Sequence, residues 1–156
     1  MRARTVSLLI VAVVAVAGVA TVIIPRLNND SSSTSGYCSA ISAKQTQLSE
    51  ILSSGDPTAL VDNIALFQSL AADAPADVSA SWSALNSAIA ALSSAIGATG
   101  HKASDFAGGR MPTGLSAAQK QAIADAADTL SSSETVSASK AIDQEVRDVC
   151  QLDLGM

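Results

Sequence analysis

The chain has 156 residues, nine Lys or Arg against fourteen Asp or Glu, and a formal net charge of −5 at pH 7. Because six of the basic residues but all fourteen acidic ones fall from Leu27 onward, the body is strongly acidic, which argues against nucleic acid as a partner and against electrostatic adhesion to anionic lipid. Aromatic residues make up only 3%, so a core has to come from Leu, Ile, Val and Ala, which suit close-packed helices but bury little area each.

Arg2 and Arg4 precede nineteen residues without a charge, 6–24, in which only Ser7 and Thr21 are polar. A helix of that length is about 28 Å long, just enough to cross the hydrocarbon layer. Only Arg26 follows, so the positive bias favours a cytoplasmic N-terminus, a single pass through the membrane and an exterior body. The run reads as an uncleaved anchor, with a cleaved signal peptide as the alternative: Ala15-Val16-Ala17 and Gly18-Val19-Ala20 fit a cleavage rule, yet the apolar stretch continues past both to Ile24 and stops at Pro25-Arg26. Residues 1–26 are therefore read as anchor or signal. Residues 27–36 include a polar run that buries too little area to offset its ordering entropy and read as a tether, and 37–156 read as an extracytoplasmic body.

In the body, a first amphipathic stretch over 37–53 places Ile41, Leu48, Ile51 and Leu52 on one side. Gly55-Asp56-Pro57 closes it and opens the next, since glycine permits a left-handed exit, aspartate caps and proline suits the first helical position. The second helix is expected to run to about Ala71, burying Leu60, Ile64, Phe67 and Leu70. After Pro75 comes the clearest periodicity: Val78, Trp82, Leu85, Ile89, Leu92 and Ile96 alternate steps of four and three along one face. Trp82 reads as a packing residue whose indole N–H needs an acceptor.

Residues 97–114 break the pattern with five glycines, His101, Lys102, Asp105, Phe106, Arg110 and Pro112, and form the one stretch where loop chemistry could sit. Ser116 with Gln119 makes a capping box for a fourth helix carrying Ile123, Ala127 and Leu130. Ser131 with Glu134 repeats the signal, so the chain is expected to kink or restart at Ser131-Ser132-Ser133 before Ile142 and Val146. The fold class is all-α: an N-terminal transmembrane or signal helix, then an antiparallel four-helix-type bundle with its last helix kinked or split.

Cys38 and Cys150 are the only cysteines and stand at the two ends of the body. An even count in an exported chain reads as a disulfide, and closing a loop of roughly 110 residues is expected to stabilise the fold by about 4 to 5 kcal/mol in the chain-entropy model. Without a Cys-x-x-Cys or a nearby histidine in sequence, a redox or metal role for the thiols lacks support. The carboxylate pairs Asp125/Asp128 and Asp73/Asp77 have helical neighbour spacing, which acidic surfaces produce routinely. Gly108-Gly109 lacks the rest of a phosphate loop, and no serine lies in a nucleophile elbow. Catalytic, cofactor-binding and metal residues are therefore assigned to none.

Tyr37-Cys38, the Gly55-Asp56-Pro57 turn, Ala74-Pro75-Ala76-Asp77-Val78 and the closing Ser139-Lys140-Ala141-Ile142 through Val149-Cys150 together resemble a family of small secreted or membrane-tethered helical proteins of actinobacteria. The resemblance implies a disulfide-closed helical bundle outside the membrane and carries over no catalytic residue. The expected function is a non-enzymatic cell-envelope protein that presents this bundle to another envelope protein or to a small apolar ligand, held at the membrane through 6–24. The alternative is a metal-binding or hydrolytic protein using the 97–114 loop around His101.

Overall fold

In the computed structural model, residues 20–154 are described, with side chains from Thr34 onward. The helices are α1 (Ala20–Ser53), α2 (Pro57–Asp62), α3 (Ile64–Ala72), α4 (Ala76–Gly97), α5 (Ala117–Leu130) and α6 (Ser133–Asp148), with a 3-10 segment at Ala103–Gly109 between α4 and α5. Every described element is helical, in agreement with the all-α expectation. Most of the charge-free run 6–24 lies outside the described residues; among those described, no helix is long and apolar enough to cross a membrane.

The hub is α4, which packs against α6, α5, α3 and α2. Its six-residue stripe is buried throughout, together with Ala88, because the alternating four and three spacing keeps those side chains on one face over the whole helix. From α1, Tyr37, Ile41, Leu48 and Ile51 enter the same core, joined by Phe67 and Leu70 of α3, Ile123 of α5 and Ile142 and Val146 of α6.

The turn after α1 forms as the residue types require. Gly55 takes φ +62, a backbone conformation that glycine adopts without steric cost. Asp56 is the N-cap, its Oδ1 accepting from Thr58 N at 2.9 Å, and Pro57 opens α2.

Three boundaries differ from expectation. The polar run 28–36, expected as an irregular tether, lies within α1 and has helical backbone. The single helix expected over 57–71 is two, parted at Asn63 (φ −111, ψ 18). The Asn63 side chain donates to Ala59 O at 2.9 Å while its backbone N–H turns to Leu60 O, a local competition with the helix ladder that asparagine is suited to. The chain does restart between α5 and α6, but the second cap is Ser132, whose Oγ accepts from Thr135 N; Ser131 instead ends α5, its N–H donating to Ala127 O.

Candidate functional site

Three places combine polar chemistry with shape. At the closed end, Cys38 of α1 is bonded to Cys150, just past α6, across 112 positions of sequence. This is the expected disulfide. Beside it the Trp82 Nε1–H donates to Tyr37 Oη at 3.0 Å, both residues being buried, and the two rings meet edge to face with centroids 6.4 Å apart. The acceptor required for Trp82 is thus its neighbour across the core. Burial pushes the Tyr37 phenol from 10.0 up to about 12, and the carboxylates of Glu145 and Asp77 add to that direction, while the hydrogen bond from Trp82 opposes it. Glu145 is itself raised, by burial first and then by Asp77 and Asp148. The chain beyond α6 folds back over this end: Gln151 turns at φ +56, Leu154 is buried, and Gln45 Nε2 donates to Asp153 O at 2.9 Å.

The 97–114 segment forms the second place. Its 3-10 turn plants Ala103 and Phe106 in the core, and Gly108 N donates to Asp56 Oδ2 at 3.2 Å, fastening the loop to the α2 cap. The Asp56 carboxyl is held below its usual range, chiefly by its hydrogen bonds from Thr58, with that from Gly108 and the charge of Arg110 contributing less. His101, Ser104, Asp105 and Arg110 line a wide open depression of about 530 Å³. His101 Nδ1 lies 3.5 Å from Asp105 Oδ2, but that same oxygen accepts from Lys102 N at 3.0 Å. Among the described residues no three His, Cys, Asp or Glu side chains converge to hold a metal. The Asp125/Asp128 and Asp73/Asp77 pairs gain no third ligand, and Asp125 accepts instead from Gln121 Nε2.

The third place was not legible in advance. Where α1 ends and α2, α4, α5 and α6 meet, a groove of about 310 Å³ has Leu52, Leu60, Leu85, Leu130 and Val136 on its apolar side and Thr135, Ser139, Lys140 and Asp143 along α6. Asp143 is only 8% exposed. Its Oδ2 pairs with Arg147 Nη2 at 2.7 Å, and its Oδ1 is buried with no hydrogen-bond partner among the described residues. The Ile142-Asp143 pair offered no signal by itself, since a lone aspartate on an amphipathic helix normally faces water.

No family model matches the chain, and no curated protein or solved structure matches it. The fold and the closed end define an all-α protein clasped by one long-range disulfide.

Proposed function

We propose that this is a non-enzymatic cell-envelope protein whose antiparallel, four-layer helical body, closed by Cys38 and Cys150, binds a small apolar ligand in the groove between Leu85 and α6. The groove carries the reading: its apolar side draws one leucine from each of four helices and a valine from a fifth, a concave apolar surface with a few polar groups along one edge, as small-molecule sites have. Trp82, whose indole is spent on Tyr37 inside the core, is not the ligand platform. Residues 1–26 act as anchor or signal and 27–36 as the link to the body, with the disulfide suited to an oxidising exterior.

Native mass spectrometry of the full chain taken from its own host tests this. A small-molecule mass should accompany the protein and disappear in Val136→Trp, which fills the groove from its exposed rim. A stoichiometric protein companion that survives this substitution, with no small molecule, would favour protein contact as the function instead. The metal-binding or hydrolytic alternative has less support, since Asp105 is engaged in its own turn and the described hydrogen bonds do not join Ser104 to His101. Metal titration against His101→Ala should show no stoichiometric uptake in either protein.

A further inference from the structure

Asp143 is out of place in its surroundings. A carboxylate this deeply buried normally has every oxygen engaged, because an unpaired buried acceptor bears the full cost of desolvation. Here one oxygen is engaged and one is not. Arg147, which holds Oδ2, is shared: its Nη2 also lies 3.7 Å from Asp153 Oδ1, so one guanidinium serves two carboxylates. Lys140 lies one turn before Asp143 on the same groove wall, yet forms no ion pair with it in the described structure. The other buried orphan, Asn86 Oδ1, is a neutral amide oxygen whose Nδ2 is already spent on Phe67 O, and it costs less.

The groove therefore sets an apolar wall beside a buried carboxylate that is only half paired. We propose that its ligand is a small apolar amine, protonated at neutral pH, whose hydrocarbon body lies against Leu52, Leu60, Leu85 and Leu130 and whose ammonium pairs with the Asp143 carboxylate at the groove wall. This inference rests on the reading of the groove as a ligand site. Its charge complements an acidic body, and about 310 Å³ falls at the small end of ligand pockets, so a body of one ring or a short chain fits. A charge-assisted hydrogen bond in a desolvated site discriminates by about ten-fold or more against the same hydrocarbon without the donor.

Three probes of one shape separate the outcomes: 2-phenylethylamine, ethylbenzene and 3-phenylpropionate, titrated into the full-length oxidised protein in lipid nanodiscs with empty discs as the blank. Binding is read from the methyl NMR signals of Leu52, Leu60, Leu85, Leu130 and Val136. The amine should bind about ten-fold more tightly than ethylbenzene, and Asp143→Asn, nearly isosteric, should bring the two to within about two-fold. Equal binding of amine and ethylbenzene by the unaltered protein leaves the groove as an apolar site and overturns the amine inference. Preference for 3-phenylpropionate overturns it too, and assigns the selectivity to Lys140. If none of the three moves these methyl signals, the groove is not a ligand site and the proposed function fails with it.

Discussion

Inside the core the Trp82 N–H and the Tyr37 hydroxyl meet at 3.0 Å, and each removes part of the other's cost of burial. Tyr37→Phe keeps the ring and deletes only the acceptor, so it should lower stability by about 1 to 3 kcal/mol in denaturant titration, the range for leaving a buried donor unpaired. A neutral result would show that the indole finds another partner. The same residue sets an alkaline limit. Because the folded phenol is raised from 10.0 to about 12, its contribution is complete below pH about 10 and is lost as pH rises towards 12. Tyr37→Phe should remove that portion of the alkaline fall in stability. Glu145 is also raised, by burial and by Asp77 and Asp148, so the fold is favoured when it is protonated and loses that increment as pH rises through its folded pKa. Glu145→Gln should therefore raise the melting temperature at pH 7 and leave it nearly unchanged at pH 4; an equal change at both would remove ionisation as the cause.

At the scale of the elements, caps decide where helices start. Asp56→Ala should cost about 1 kcal/mol as a lost N-cap and also release Gly108, seen as faster amide exchange at Gly108 with little change in α5. Since the Asp56 carboxyl is held low, its contribution is present above the ordinary value of 3.8 and fades as pH falls through its folded pKa. Gly55-Asp56-Pro57 was legible because three adjacent residues each allow little else. The stripe of α4 was legible because its period persists over the whole helix. The break at Asn63 was not, for the apolar spacing of Leu60, Ile64 and Phe67 runs through it undisturbed and only a side-chain bond to Ala59 O interrupts the ladder. Among three consecutive serines the choice of Ser132 over Ser131 is tertiary: Thr135 is buried and its Oγ1 donates back to Thr129 O at 2.9 Å. The groove escaped sequence reading for a related reason, as five helices share its lining and no short segment holds its pattern.

For the whole molecule, the core is made mainly of aliphatic side chains around four aromatics, Tyr37, Phe67, Trp82 and Phe106, and the first and last parts of the body are joined by a bond 112 positions long. A lean core gains most from such closure, because the bond restricts the unfolded chain as well as holding α1 to the residues after α6. Replacing both cysteines by serine should lower unfolding free energy by about 4 to 5 kcal/mol, with the α4 core still helical by circular dichroism. We propose that this clasp exists in the protein as its host makes it, outside the reducing cytosol. The measurement that bears on it most directly is mass spectrometry of native protein alkylated before and after reduction. The expected result is no label until reduction and two labels afterwards, on Cys38 and Cys150; two labels on the unreduced protein would contradict it.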